Sequence, residues 1–408
     1  MGKKWLLTLL VLACLSGLNG KRNYDLKFSV LSEVGFDRPE VRPDPALAPF
    51  LDDFERFIRQ RLEEENIPGA AIAVVKDSNL IYLNTFGLKE KQSYDSIDLH
   101  TSFRLASVSK GFAPVLTGIL VEEGVLDWDD QVVDYLPDFR LHSRSQTDAL
   151  TLRHVLSHTT GLPRHTYSNL LDDGVPYPEI VDRLRKVRLA HRVGTYYNYQ
   201  NVAYSLIGDV IEAATGKSYQ SLLDEKIFQP LEMKDASTSY EEMVEGDNFA
   251  LPHRRRRSDY TTTELSHTYY DASPAAGVNA SITDLSKWLR FLLGRQPDLL
   301  SEQTLAEIFQ PHIDIPLNDK ALGNWRSSID RAYYALGWRV LEQGADKLIY
   351  HGGYVNSFRA EIALHPSDQL GIAVLTNGPS RFISDCLPAF FDQYQGQGYR
   401  REVLQREQ

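Results

Sequence analysis

The sequence predicts an α/β (α+β) fold: an antiparallel sheet flanked by helices, plus a mainly helical region beside it. Three observations carry this. Apolar runs of strand length lie near the two chain ends, within 70–83 and 347–375. From Ser107 to about Leu293, helical periodicity dominates instead. An amphipathic helix precedes the first strands and another follows the last, so strands from both ends must meet in one sheet.

Each element has its own signal. Asp44-Pro45 supplies an N-cap and a first-position proline for a helix with the stripe Leu47, Phe50, Leu51, Phe54, Ile58 and Leu62, stopped by Pro68-Gly69. Ala70 to Val75 is continuously apolar, as expected of a strand covered on both faces. The turn Lys76-Asp77-Ser78-Asn79 and the run Leu80 to Leu83 complete a hairpin. Two helical stripes follow: Phe112, Val115, Leu116, Ile119 and Leu120, then Ala203, Leu206, Ile207, Val210, Ile211 and Ala214. Ser281-Ile282-Thr283-Asp284 fits a capping box ahead of Leu285, Trp288, Leu289 and Leu292. Strands return at the short run Lys347 to Tyr350, at Phe358 to Leu364, where Arg359 and Glu361 alternate with apolar residues, and at Gly371 to Leu375. Ile383, Leu387, Phe390, Phe391 and Tyr394 mark the last helix. One domain is thus expected over 45–395, its sheet part from 45–100 and 330–395 and its helical part over about 101–329, with a tether at 21–44 and a polar tail at 396–408.

Composition excludes several classes. With 42% hydrophobic and 24% charged residues in 408, global disorder is ruled out. A net charge of −11 argues against a nucleic-acid partner, which would need a basic face. Two cysteines, Cys14 and Cys386, exclude a disulfide framework and a cysteine-based zinc site. Lys3 and Lys4 followed by Trp5 to Ala13 form a charged and then a short apolar region, the pattern of an export signal over 1–20. Val11-Leu12-Ala13-Cys14 resembles a lipobox, which would place a lipid anchor on Cys14; plain cleavage near Ser16 or Gly20 is the alternative. The expectation is an exported protein, periplasmic or extracellular, either free or held at the membrane as a lipoprotein.

The most informative segment is Phe103-Arg104-Leu105-Ala106-Ser107-Val108-Ser109-Lys110. Ser107 begins a helix and Lys110 lies one turn on, on the same face. A serine hydroxyl needs a base, and a lysine kept neutral by burial can serve. The strongly apolar stripe that follows draws Lys110 inside. Other patterns carry less. Thr215-Gly216-Lys217-Ser218 imitates a phosphate loop but follows a helix and lacks the first glycine. His154 and His158 could share a metal, yet no glutamate lies between them and no third ligand suggests itself, so a structural role is favoured. Arg254 to Arg257 reads as a solvated loop.

Phe103 to Lys110 resembles the active-site segment of the serine β-lactamase and penicillin-binding protein superfamily, in its class C and DD-peptidase branch. Tyr199-Gln200-Asn201 matches that branch's Tyr-x-Asn motif, and His351-Gly352-Gly353 stands where it has Lys-Thr-Gly or a variant. Gly124 to Asp127, Tyr135 to Pro137, Leu156 to Leu162 and Leu336-Gly337-Trp338 extend the similarity over about 50–395. The resemblance implies a β-lactamase/DD-peptidase-like fold and a serine hydrolase without metal or organic cofactor. Ser107 would be the nucleophile, Lys110 its partner and Tyr199 the general base, its phenol lowered by adjacent ammonium groups. Asn201 would hold a substrate amide and Lys110. The backbone N–H groups of Ser107 and Tyr354 would form the oxyanion hole. Gly352 and Gly353 would let substrate lie against the strand, or mark a bulge. Substrates would be β-lactams, cell-wall-type D-alanyl peptides, or small esters or amides. A catalytically silent binding or scaffold protein on the same fold is the alternative, and a metallohydrolase through His154 and His158 a further rival. The departure at His351 implies weaker binding of substrate carboxylates, with Arg359 or Asn356 as stand-ins, and His351→Lys as the exchange that would restore it.

Overall fold

The computed structural model describes residues 39–396. The export signal and Cys14, most of the tether, and the tail beyond 396 lie outside the described residues.

Among the described residues, eight strands form one sheet. They are β1 (Gly69–Lys76), β2 (Asn79–Gly87), β3 (Ile313–Asp314), β4 (Arg331–Tyr334), β5 (Arg339–Gln343), β6 (Asp346–Val355), β7 (Phe358–His365) and β8 (Leu370–Thr376). Their spatial order is β2-β1-β8-β7-β6-β5-β4-β3, with every neighbouring pair antiparallel. The two chain ends meet at β1 and β8, where Ala73 stands opposite Ala373.

Period-two alternation sends the apolar run of β1 to both faces. Ile72 and Val74 enter a core shared with helices α1 (Ala48–Glu65) and α5 (Arg381–Gly396), while Ala71, Ala73 and Val75 enter the larger core of the helical region. The terminal helices join through Phe390, whose ring lies 5.0 Å from Phe50 and 4.9 Å from Phe54. Buried Glu65 fixes the approach by accepting the N–H groups of Arg381 and Phe382 at the start of α5 (2.8 and 2.9 Å). The helical region includes α2 (Phe112–Glu122), α3 (Val202–Thr215) and α4 (Ile282–Leu292).

Several boundaries differ from expectation. α1 begins at Ala48, because Asp44 caps a preceding turn through the Ala46 N–H (2.8 Å) instead of the helix. The run at 347–350 belongs to a ten-residue strand whose second half carries polar residues and glycines, and β3, β4 and β5 were not foreseen. Arg254 to Arg256 form half of a small hairpin with 259–262, and Arg255 pairs with Glu65 (3.3 Å). Thr215 to Ser218 joins two helices: Gly216 (φ 72°) ends α3 and Ser218 caps the next.

The capping box of α4 forms as expected, with Ser281 Oγ accepting the Asp284 N–H (3.1 Å) and Asp284 accepting the Ser281 N–H (3.2 Å). Burial, and then Asp235, push the Asp284 carboxyl up to about 7. Its folded pKa lies above the unfolded value of roughly 3.9, so the folded state holds the extra proton and this contribution to stability falls as pH rises from about 4 to 7. Urea unfolding at pH 4.5 and 7.5 should show wild type losing on the order of 1–3 kcal/mol relative to Asp284→Asn across that window. Identical pH dependence in the two proteins would remove Asp284 as the cause.

Candidate active site

The site arises where a strand outruns its neighbour. β5 pairs with β6 only over Asp346–Tyr350, whereas β7 follows β6 to Val355. From His351 onward, β6 has no strand paired on that side among the described residues, and the turn leading into α2 packs against it at Gly353. Ser107 is the second residue of a 3-10 turn, Ala106–Gly111, and not the first of an α-helix. Ala106 before it has a left-handed φ of 50°, which costs an alanine roughly 1–2 kcal/mol and sharpens the turn. Gly353 packs against this turn: a Cβ there would stand 2.5 Å from the Leu105 carbonyl oxygen and 2.8 Å from the Ser107 nitrogen. Close approach of strand and turn thus requires this glycine, where room for substrate or a bulge was the expected reason.

Ser107 is partly exposed, and Ser109 is not an alternative, since its buried hydroxyl accepts the Val278 N–H (3.0 Å). Lys110 is fully buried. Its amine donates to Ser107 Oγ (3.3 Å), Asn201 Oδ1 (2.8 Å) and the Ala275 carbonyl (2.9 Å). Burial, reinforced by Arg339, holds its ammonium well below the ordinary lysine range. Lys110 therefore reaches both Ser107 and Asn201.

Tyr199 lies over the same amine, with Lys110 Nζ 4.7 Å from its ring centroid. The expected net lowering of its phenol is not what the surroundings produce. Burial pushes Tyr199 up, and Arg339 and the interaction with Ser107 pull it only partly back. The nearest amine, Lys110, is itself held well below its ordinary range.

His351 departs most from expectation. It is completely buried, and both ring nitrogens are engaged within the protein. Gln200 N–H donates to His158 Nδ1 (3.2 Å), which leaves His158 Nε2 to donate to Tyr334 Oη (3.1 Å). Tyr334 then donates to His351 Nε2 (3.1 Å), whose Nδ1 donates to the Gly352 carbonyl (3.0 Å). Each bond in this chain satisfies the next with both rings neutral, and burial holds both histidines well below their usual range. His158 also accepts the Asn198 N–H through its own carbonyl (2.9 Å), so it grips the backbone on both sides of Tyr199. A lysine at 351 would break this chain, so His351→Lys would not be a clean test of carboxylate binding.

The suggested stand-ins are engaged too: Arg359 pairs with Glu361 (2.8 Å) and Asn356 donates to Thr268 (2.9 Å). The Tyr354 side chain is exposed, next to the glycine that touches Ser107. His154 closes a capping box with Thr151, apart from any pairing with His158. Sequence reasoning missed the site positions of His158, Tyr334 and Arg339. The usable signal was a polar residue inside an apolar stretch, as in Leu336-Gly337-Trp338-Arg339-Val340-Leu341.

A family model described as Beta-lactamase matches residues 54–386, which takes in every residue of the site. The chain belongs to the beta-lactamase family. A penicillin-binding protein homologue from Pyrococcus abyssi shares the fold of this beta-lactamase-family chain, with a TM-score of 0.72 at 23% identity over 84% of this chain and 77% of that one. Among curated relatives, the Unguisins hydrolase ungD' of Aspergillus campestris is 30% identical over 83% of the chain, and Protein flp of Staphylococcus aureus 25% identical over 81%. The chain spans 63% of the length of each of these two relatives.

Proposed function

We propose that this chain is an exported serine hydrolase that cleaves an ester or amide through an acyl-Ser107 intermediate. The observation that carries the reading is the fully buried Lys110, its amine 3.3 Å from Ser107 Oγ and held well below the ordinary lysine range, beside the part of β6 that runs on past β5. The Aspergillus relative is named as a hydrolase, which also supports the reading. Export, and a lipid on Cys14, rest on the leader pattern alone.

In the proposed reaction, Oγ attacks the substrate carbonyl carbon as its proton passes to the phenolate form of Tyr199. The carbonyl oxygen becomes an oxyanion facing the N–H groups of Ser107 and Tyr354. Collapse expels the alcohol or amine, which takes the proton back, and water then releases the acyl group by the reverse sequence.

The neutral, engaged His351 favours neutral substrates over anionic β-lactams or free D-alanyl carboxylates. Nitrophenyl acetate and the monoanionic nitrophenyl succinate form a suitable pair at pH 7.5. We expect kcat/KM to favour the acetate by about tenfold or more, the value of one missing charge-assisted hydrogen bond. An acyl mass on Ser107 should accompany turnover. A protein that prefers the succinate would refute the selectivity, and turnover without acylated Ser107 would refute the mechanism.

A further inference from the structure

Arg339 opens β5 opposite Tyr350 in the register, beside the strand residue that precedes His351. Its side chain is buried (3% exposed), and its guanidinium carbon lies 5.6, 5.7 and 5.9 Å from the ring centroids of Tyr199, Tyr334 and Tyr350. Among the described residues no carboxylate approaches it within ion-pair distance. A guanidinium cannot shed its charge as a buried lysine can. Glu361 and Asp319 feel its charge from beyond ion-pair distance, and the rings packed around it are phenols, of which Tyr199 is the one that interacts with Ser107.

We propose that Arg339 is the fixed cation of the site, stabilising the phenolate of Tyr199 that takes the Ser107 proton. This rests on the acyl-Ser107 reading above. Tyr199 must first give its own proton to solvent or to Lys110, after which the phenolate accepts the Ser107 proton as the Oγ–carbon bond forms.

Around Tyr199, Arg339 is the permanent charge that no ion pair among the described residues engages. Burial keeps Lys110, His158, His165 and His351 below their usual ranges. The phenols Tyr197, Tyr204, Tyr269 and Tyr334 are pushed up and stay neutral. Arg164, the other arginine felt by Tyr199, is paired with Asp319 (2.5 Å). Arg339 is the first group opposing the effect of burial on Tyr199.

The test is the pH profile of Ser107 acylation by nitrophenyl acetate in wild type, Arg339→Met and Arg339→Lys. In the methionine variant the acid limb should move up by about one to two pH units, the effect of one nearby opposite charge. Its rate at pH 7.5 should fall roughly 10- to 100-fold and converge on wild type at high pH, while the lysine variant keeps the limb within a few tenths. A uniform loss at every pH, or a limb that moves equally in both variants, would show a structural role and overturn the proposal. Should the methionine variant fail to fold by circular dichroism, Arg339→Gln carries the same comparison. Wild type that is never acylated at Ser107 sinks the hydrolase reading itself, whereas an acylated wild type with an unmoved limb sinks only the role of Arg339.

Discussion

Ser107→Ala is expected to abolish acylation and lower turnover by at least about a thousand-fold while the fold survives. The hydroxyl is partly exposed and is one of three acceptors of the Lys110 amine, which keeps Asn201 and the Ala275 carbonyl in the variant. No cavity of consequence forms, so stability should stay within roughly 1 kcal/mol. No neighbour can replace the nucleophile: Ser109 is buried and accepts the Val278 N–H, and Cys386 is buried in α5 with its thiol pushed well up by its surroundings. Thermal melting and labelling with a fluorescent fluorophosphonate decide the matter together. Labelling that persists in a variant melting like wild type would place the nucleophile elsewhere.

The parts of this molecule that could be read from sequence are those where one physical demand dominates. β1 and β8 are buried on both faces, so their apolar runs are unbroken and their pairing across 300 residues of chain follows from the helices at either end. Lys110 could be placed inside because the stripe behind it is apolar throughout. β6 was half hidden, because its second half keeps β7 but packs against the turn at Ser107 where β5 has ended, and Gly352 and Gly353 erase the alternation there. The His158–Tyr334–His351 chain was hidden for a different reason. Its members come from three separate segments, and tertiary hydrogen bonds, not spacing, give them their roles. The histidine at 351 looked like a weakened substrate contact in sequence. In the structure it is a piece of the scaffold under Tyr199, and the proposed fixed cation beside that phenol, Arg339, enters from the adjacent strand.

Lys110→Met should separate activity from stability in opposite directions with pH. Methionine nearly matches lysine in length and cannot move a proton, so acylation should fall by about 10²- to 10⁴-fold. For stability two effects compete. The substitution leaves Asn201 Oδ1 and the Ala275 carbonyl without their donor, at about 1–3 kcal/mol for each group left unsatisfied. It also ends the burial of an amine whose folded pKa is held well below 10.5, chiefly by desolvation and then by Arg339. The sign follows from proton counts. Between the depressed folded pKa and the unfolded value of roughly 10.4, the unfolded chain binds the extra proton, so wild type gains stability as pH rises and methionine at 110 does not. Wild type should therefore be at its weakest relative to Lys110→Met near pH 6 and recover toward pH 10, with a slope of at most about 1.4 kcal/mol per pH unit. Chemical denaturation of the two proteins at pH 6, 8 and 10 measures that difference directly. A gap that stays constant across the series would mean that Lys110 keeps an ordinary ammonium in the folded protein, and it could not then serve as the neutral partner of Ser107.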